Sequence, residues 1–198
     1  MLKKRIIPSL LLDNRRLVKT IKFKEKKYIG DPLNAIKIFN EKFVDELIIL
    51  DINSNKSKFG IDYEFLKDLF SECFVPVTYG GGISTVEEAD KIFKLGVEKV
   101  SLNSSVLQNK KILNNFVKKF GSQSIVINID IKKNFFNEYK VFNNKLNKIE
   151  KKLDLINYIK ELEDIGVGEI LINSVDNDGT MNGMNLELIE KTCKIVNL

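Results

Sequence analysis

The feature that most constrains the fold is a repeated alternation of short apolar runs with longer segments of helical period. Six runs rich in Ile and Val are each followed by a candidate helix. The runs are Arg5–Leu11, Glu46–Asp51, Pro76–Tyr79, Lys99–Asn103, Ser124–Asp130 and Glu169–Asn173, and the helices are Pro32–Lys42, Tyr63–Ser71, Thr85–Lys94, Val106–Lys119, Leu153–Ile165 and Leu186–Val196. Six β-then-α units in succession predict a parallel sheet with crossover helices.

Local signals at the ends of these segments support the helices. Asp31-Pro32 offers an N-cap followed by proline at the first helical position. Ser84, with Glu87 three residues later, has the spacing of a capping box. A glycine follows each of three helices, where a left-handed cap is needed: Gly96, Gly121 and Gly166.

Both a β/α barrel and a doubly wound open sheet are built from such units, and an internal echo favours the barrel. Asp45–Leu50 resembles Gly168–Asn173, about half a barrel later, and each copy begins its strand with a glutamate. We therefore predict an α/β fold of the TIM (βα)8-barrel type, in one domain over residues 1–198. Because only about six of the usual eight units are present, we interpret the chain as truncated, rather than as a fragment or a barrel completed by another chain.

The residue types limit the chemistry. The chain has no histidine and only two cysteines, Cys73 and Cys193, which lie far apart. A zinc site therefore has almost no ligands, and nucleophiles that rely on histidine are excluded. Proton transfer near neutral pH must fall to carboxylates, lysines or tyrosines. We expect no metal and no cofactor.

Charge and hydropathy limit the partners. The net charge is +5, and basic residues concentrate in Lys19–Lys27 and Lys145–Lys152. A nucleic-acid site would interleave aromatics on one basic face, but Lys145–Lys152 alternates Asn and Lys around single apolar residues, so we predict solvated loops and no nucleic acid. The sequence contains no run of about 18 apolar residues, so it predicts no membrane span. Ile6–Leu12 is too short and interrupted for a signal peptide, which favours a cytoplasmic location.

Two loops at predicted strand ends are candidate phosphate cradles. Gly80-Gly81-Gly82 precedes a helix, so its backbone amides could approach an anion closely, although a tight turn is an equal alternative for the glycines alone. Asn103-Ser104-Ser105, at the next strand end, adds hydroxyl and amide donors and favours the phosphate interpretation. Asp178-Gly179-Thr180 is a second candidate, but Asp-Gly is also a common turn dipeptide.

Two carboxylates occupy similar strand-end positions. Asp130 follows the apolar run Ile125–Ile129, where a carboxylate would be costly unless it faces a polar mouth. It is the best candidate for a general acid–base group, with capping of a loop amide as the alternative. Asp51 has the same placement, and a supporting role behind the site is as plausible for it as a direct one.

Several of these motifs, in order along the whole chain, resemble one family. They are Lys4–Pro8, Asp45-Glu46-Leu47 with Leu50-Asp51-Ile52, Tyr79–Thr85, Phe120–Ser124 and Asp176–Thr180. The chain is similar to the cyclase subunit of imidazole glycerol phosphate synthase. The resemblance implies a β/α barrel that takes ammonia from a glutaminase subunit in a heterodimer. It also implies a phosphorylated aminoimidazole precursor of histidine as substrate, and hence a lyase of histidine biosynthesis.

The resemblance also implies roles for individual residues. Asp130 matches the acid–base carboxylate, and Lys19, in the basic loop after the first strand, matches a mobile-loop lysine. The implied phosphate-binding positions are Gly81, Gly82, Asn103 and Ser104 for one site, and Asp178, Gly179 and Thr180 for part of the other. A ring of charges at the bottom of the barrel, where ammonia enters, would consist of Arg5, Glu46, Lys99 and Glu169.

One departure from the family pattern concerns the first strand. Ser9–Leu12 stands where a cysteine-leucine-aspartate sequence is usual, and Leu11 cannot transfer a proton. Losing one of two cooperating acids should slow cyclisation by about 10²- to 10⁴-fold. The Leu-Leu-Leu pattern instead resembles a paralogous branch associated with surface-polysaccharide genes, which would supply ammonia for amidation of an acetamido sugar.

Three functional hypotheses follow. The chain is a histidine-biosynthesis cyclase, an ammonia-supplying subunit for sugar amidation, or an inactive truncated product. The charged ring fits the first two equally. Leu11 favours the second, and the stop after about six units favours the third.

Overall fold

The structure, a computed structural model, describes residues 4–54 and 60–196. These residues form two compact units: one contains residues up to Lys19 together with Lys26–Ser101, and the other contains Thr20–Glu25 together with the residues from Leu102 onward.

The first unit is built around parallel strands. Its elements are β1 (Ser9–Asp13), β2 (Arg16–Ile21), β3 (Glu25–Gly30), α1 (Pro32–Glu41), β4 (Leu47–Asp51), α2 (Tyr63–Ser71), β5 (Val77–Gly80), α3 (Val86–Phe93) and β6 (Lys99–Leu102), with the turn Thr20–Glu25 of β2 and β3 assigned to the second unit. β1 pairs in parallel with β4, β4 with β5, and β5 with β6. Leu47 and Ile49 of β4 and Ile36 of α1 are fully buried, because helices cover the sheet.

The second unit repeats the pattern with an added hairpin. Its elements are α4 (Ser104–Gln108), α5 (Ile112–Phe120), β7 (Ile125–Lys133), β8 (Tyr139–Asn143), β9 (Lys148–Ile149), α6 (Leu155–Ile165), β10 (Glu169–Ser174) and α7 (Leu186–Cys193). β7 pairs in parallel with β10, with Glu169 opposite Val126. β8 runs antiparallel to β7, and β9 runs antiparallel to β8. The six predicted β-then-α units are therefore confirmed.

The basic segment Lys19–Lys27 is not the solvated loop that we predicted from its charge. It contributes to β2 and β3, and β2 pairs antiparallel with β1. Asn14 and Arg15 join β1 to β2 with φ angles of 51° and 62°. Positive φ at both residues is typical of the two-residue turn that connects a tight hairpin. Leu17 and Val18 are buried, so apolar residues just before the lysines hold this strand to the sheet.

Two other local predictions are corrected. The single helix predicted over Val106–Lys119 is two helices, α4 and α5, because Asn109 adopts an extended conformation between them. The capping box uses Thr85 and Glu88 rather than Ser84 and Glu87. The Glu88 carboxylate accepts backbone hydrogen bonds from Ser84 at 2.8 Å and Thr85 at 2.9 Å.

In the part of the chain that the structure describes, no helix is both long enough and apolar enough to cross a membrane.

The capping box makes a testable contribution to stability. Glu88→Ala removes the acceptor for the backbone amides of Ser84 and Thr85, and we expect it to lower the free energy of unfolding by about 1 kcal/mol. Glu87→Ala is a matched control, because it removes the same charge from the first turn of the same helix. Urea unfolding of both variants measures the difference. Equal destabilisation would show that the charge near the helix N-terminus matters and that the capping geometry does not.

Candidate active site

The best-formed polar cluster in the second unit surrounds Asp130. Its side chain is 3% exposed. One carboxylate oxygen accepts a hydrogen bond from the Asn103 side-chain amide at 2.9 Å, and the other accepts one from the Asn173 amide at 3.1 Å. Both oxygens of the buried carboxylate therefore have a donor, which offsets part of the cost of removing it from water.

Asp130 owes this position to the register of two strands. It lies directly opposite Asn173 in the parallel pair of β7 and β10. Asn103 is the residue that precedes α4. We predicted that Asp130 would end its strand, but β7 continues to Lys133 because its last residues pair with β8. The carboxylate is thus fixed within a strand and has little freedom to move.

Burial raises the pKa of Asp130 from 3.8 to about 6. The hydrogen bonds from Asn173 and Asn103 oppose this shift, because they stabilise the charged form, and the nearby charge of Asp178 adds to it. A carboxyl group with a pKa near 6 exchanges its proton readily close to neutral pH. Asp130 is therefore suited to general acid–base chemistry.

The Asp178 carboxylate holds the turn between β2 and β3. It accepts hydrogen bonds from the Thr20 hydroxyl at 2.7 Å and from the Phe23 backbone amide at 3.0 Å. The Asp178 carbonyl oxygen also accepts a hydrogen bond from the Lys22 amide at 2.9 Å. In this structure the Asp178 side chain is an anchor for the turn.

Gly179 and Thr180 belong to the same compact loop. A Cβ atom on Gly179 would lie 2.0 Å from the Thr20 carbonyl oxygen, so only glycine fits against the turn. The Thr180 hydroxyl donates to the Asn177 carbonyl oxygen at 2.9 Å. A phosphate role for this loop remains a prediction.

The glycine triplet of the first unit packs closely against the end of β4. Gly81 has a φ of 123°, and a Cβ atom there would lie 2.3 Å from the Asp51 carbonyl oxygen. A Cβ atom on Gly82 would lie 2.9 Å from the Ser54 hydroxyl oxygen. This close approach is a sufficient structural reason for both glycines, and phosphate binding by them remains a prediction.

Asp51 organises that same turn. One carboxylate oxygen accepts the backbone amides of Asn53 at 2.9 Å and Ser54 at 3.0 Å. Burial raises the pKa of Asp51, and these two hydrogen bonds oppose the increase. The geometry is consistent with the supporting role that we considered for this residue.

Asn103 and Ser104 lie at the start of α4, in the second unit with Asp130. The Asn103 side chain is already engaged by Asp130 and forms no cap hydrogen bond with the helix. The buried hydroxyl of the neighbouring Ser105 has no hydrogen-bond partner among the described residues.

The first-strand residues differ from the family pattern as expected. Leu11 lies in β1 opposite Leu50 of β4 and Val18 of β2, in a half-buried apolar position. Lys19 is half-buried within strand β2, so the assignment of this lysine to a loop was wrong.

Three of the four residues predicted to form the ring of charges meet in the first unit. The Glu46 carboxylate forms an ion pair with the Arg5 guanidinium, and its other oxygen lies 2.9 Å from the Lys99 ammonium nitrogen. Glu46 is buried, and the Lys99 side chain is 13% exposed. We call these three residues the Glu46 cluster. Glu169 belongs to the second unit, where it begins β10.

The sequence interpretation assigned no role to Asn173 or Thr20, which hydrogen-bond to Asp130 and Asp178. Asn173 could have been noticed, because it is the polar end of the repeated strand pattern that ends in Leu50 in the first copy. Thr20 gave no such signal, since its partner Asp178 is 158 residues away.

The described residues contain no cluster of three or more His, Cys, Asp or Glu side chains that could hold a metal ion.

Comparison with known proteins agrees with this architecture. Residues 5–198 match the family described as "Histidine biosynthesis protein". A protein of Pseudomonas aeruginosa, provisionally named imidazole glycerol phosphate synthase subunit hisF2, is 48% identical over all of this chain and 78% of its own length. The imidazole glycerol phosphate synthase subunits HisF of Streptococcus sanguinis and Methanococcus vannielii are 37% and 36% identical, again over all of this chain and over 78% and 80% of their own lengths. A match of this extent, on a fold of successive β-then-α units, shows that the chain belongs to the histidine biosynthesis family of β/α-barrel proteins that includes these HisF subunits.

Proposed function

We propose that this chain is a cyclase-type subunit that uses ammonia on a phosphorylated substrate, with Asp130 as the acid–base group. The observation that carries the proposal is the buried Asp130 carboxyl group, held by Asn103 and Asn173 with a pKa of about 6. Ring closure after ammonia attack needs one proton removed and another supplied. A carboxyl group that is populated in both forms near neutral pH can do either.

The two amides position this carboxyl group as well as tuning it. Each amide donates to a different oxygen, which fixes the plane of the carboxylate. Because both hydrogen bonds favour the charged form while burial favours the neutral form, the pKa stays near neutrality. The same balance would be lost if either amide were removed.

Phosphate recognition in this proposal uses backbone amides at strand ends. Gly81 and Gly82 lie on one loop, and Asn103 and Ser104 on another that leads directly into α4. Asp178–Thr180 is the candidate loop for the other phosphate site. Its tie to the β2–β3 turn, which follows Lys19, links phosphate binding to the position of that lysine.

The Glu46 cluster supports a route for ammonia into the barrel from the N-terminal ends of the strands. Glu46 immediately precedes β4, and Lys99 begins β6. One carboxylate between two cations is neutralised while buried, so it can stay in an apolar wall. Because Arg5 and Lys99 each pair with Glu46, a partner that draws one cation away leaves the carboxylate paired with the other, which suits a gate that a partner rearranges.

An exposed apolar surface near the same ends supports docking of a glutaminase. Ile6, Phe43 and Phe74 are 71%, 89% and 82% exposed. Hydrogen bonds connect their segments. Asn40 accepts hydrogen bonds from the backbone amides of Phe43 and Phe74. The Asp45 carboxylate accepts one from the backbone amide of Ile6. We call these three residues the apolar docking patch. A partner that covers it would lie next to the segment that carries Glu46, because Asp45 directly precedes Glu46 in the chain.

A second candidate function is supply of ammonia to a separate sugar amidotransferase. Leu11 favours it, because an apolar residue replaces the second acid that cyclisation uses. Among eight relatives compared, five named provisionally, such as the Pseudomonas aeruginosa hisF2 protein, are 44–48% identical to this chain, whereas three subunits named HisF without that qualification are 35–37% identical. In this function the barrel still receives ammonia from a glutaminase but does not need to close an imidazole ring.

The pKa of Asp130 gives the first test. A ¹³C NMR titration of its carboxyl carbon should show a midpoint near pH 6. Since the folded-state pKa is raised, the protonated form stabilises the fold. That contribution is complete below about pH 4 and is lost as the pH rises through 6. Urea unfolding measures this contribution. Between pH 4 and pH 7 the free energy of unfolding of the wild type should fall by on the order of 2–3 kcal/mol more than that of Asp130→Asn.

Two further variants check the cause of that pKa. Asn103→Ala and Asn173→Ala each remove a hydrogen bond to the charged form, so the midpoint should rise further. Asn157→Ala, on the exposed face of α6, should leave it unchanged. A wild-type midpoint near 4 would contradict the proposal.

Cyclisation with ammonium salts needs no glutaminase, so it measures ring closure by this chain directly. Only the first candidate function requires efficient ring closure. We expect slow cyclisation of the phosphorylated imidazole precursor by the wild type and a rate about 10²- to 10⁴-fold lower for Asp130→Asn. Leu11→Asp should raise the wild-type rate if the missing acid limits it. Leu11→Asn is the matched control, since it adds polarity without a titratable proton. If the asparagine variant is as fast as the aspartate variant, proton transfer at this position is not the limiting factor.

Docking is tested by charge substitution in the apolar docking patch. Phe43→Asp and Phe74→Asp should weaken binding to the glutaminase encoded in the same genome by about tenfold or more, since a buried unpaired carboxylate is costly at an interface. Phe135→Asp and Phe136→Asp are matched controls at a different exposed aromatic pair. Isothermal titration calorimetry measures the affinities. A larger loss in the control variants would place the interface elsewhere.

A further inference from the structure

A basic cleft in the second unit has no role in the proposed cyclisation. It has a volume of about 770 Å³ and is lined by five lysines and a single carboxylate. We call it the lysine cleft, and its charged residues are Lys24, Lys132, Lys148, Lys151, Lys152 and Glu150. Among the described residues that line it, none belongs to the Asp130 cluster or to the candidate phosphate loops.

Backbone pairing brings two of the segments that line the cleft together, and the β2–β3 turn supplies the third. Lys24 is the last residue of that turn, and its amide donates to the Ile21 carbonyl oxygen at 3.0 Å. Lys132 lies in β7, which pairs with β8, and Lys148 lies in β9 opposite Asn143 of β8. The Glu150 amide continues this pairing with a hydrogen bond to the Val141 carbonyl oxygen at 2.9 Å. The charges are therefore mounted on an ordered scaffold.

The cleft does not neutralise its own charge. Five lysines and one glutamate give it a net charge of +4. Glu150 accepts a hydrogen bond from the Asn143 side chain at 2.8 Å, and the Lys148 ammonium lies 3.9 Å from the same oxygen. Within residues 4–54 and 60–196, Lys24, Lys151 and Lys152 form no ion pair. Like charges around a concave wall repel one another and concentrate positive potential, so the site favours an anion.

The shape and the aromatic content favour a small anion over a nucleic acid. The volume falls in the range of small-molecule sites, about 300–1,000 Å³. The ring of Phe142 lies beneath Lys132, with 5.2 Å between the ammonium nitrogen and the ring centroid. Phe142 is only 5% exposed, so it cannot stack on a base as single-strand binding requires. Lysine ammonium groups are point-charge ligands for phosphate, and several of them suit several phosphate groups.

We propose that the lysine cleft binds a small anion carrying two or more phosphate groups, at a site separate from the candidate active site. Such a ligand brings enough negative charge to offset the four uncompensated positive charges. It would also contact Lys24, which lies in the turn held by Asp178. Occupancy of the cleft would therefore stabilise the turn in the position that the structure shows.

The test uses inorganic pyrophosphate as the probe, with binding measured by isothermal titration calorimetry at low salt. The cleft variant carries Lys24→Gln, Lys151→Gln and Lys152→Gln. The matched control carries Lys67→Gln, Lys118→Gln and Lys160→Gln, which removes the same charge from exposed helix positions. We expect the cleft variant to lose about tenfold or more in affinity, since three direct charge contacts are removed, and the control to change less than twofold.

A third variant, Ser104→Ala, separates the cleft from the candidate phosphate loop near Asp130. It should retain the high-affinity pyrophosphate site, and all variants should unfold at the wild-type temperature. Equal losses in the cleft and control variants would overturn the proposal in favour of non-specific attraction to a basic protein. Absence of pyrophosphate binding at millimolar concentration would also overturn it. A third contrary outcome is that the cleft variant binds pyrophosphate as the wild type does but loses affinity for a single-stranded RNA oligonucleotide.

Discussion

The buried carboxylate of Asp130 is the constraint on which the rest of the candidate active site depends. A carboxylate that is 3% exposed needs hydrogen-bond donors, and two side-chain amides supply them. One donor, Asn103, immediately precedes α4, and the other, Asn173, lies within β10. The register of β7 with β10 and the start of α4 must therefore be fixed together. The cost of burial is also what gives the group its pKa of about 6. The same burial that costs stability near neutral pH therefore gives the carboxyl group a pKa suited to its proposed acid–base role.

The Glu46 cluster solves a similar problem at the opposite ends of strands in the first unit. A buried acid is neutralised by Arg5 and Lys99, so the ion pairs replace the amides used around Asp130. The difference matters, because ion pairs with long basic side chains can rearrange, whereas two short amides hold a carboxylate in one plane. The apolar docking patch lies on segments next to these charges. This placement is what a route for ammonia from a docked partner requires.

Asp178 connects the candidate phosphate loop to the turn between β2 and β3. It binds the turn through both its carboxylate and its carbonyl oxygen, and Gly179 has no room for a side chain against Thr20. Lys19 precedes this turn and Lys24 is its last residue before β3. Any ligand that displaces Asp178 or binds Lys24 would therefore change the stability of the turn. A basic segment that looks solvated in the sequence is thus tied to the rest of the second unit.

The sequence by itself determined the succession of β-then-α units, because periodicity and apolar content are local properties that each segment carries on its own. It also pointed to Asp130, since a carboxylate beside an apolar strand is visible without coordinates, whereas Arg5, Glu46 and Lys99 were expected only from the resemblance to the family. Only the tertiary structure decided that Asn103 and Asn173 share Asp130, that Thr20 binds Asp178, and that five lysines line one cleft. These contacts join residues far apart in the chain, and strand register together with the packing of loops determines which of them meet. The basic segment Lys19–Lys27 shows the same limit: its composition indicated a loop, but pairing with β1 made part of it a strand.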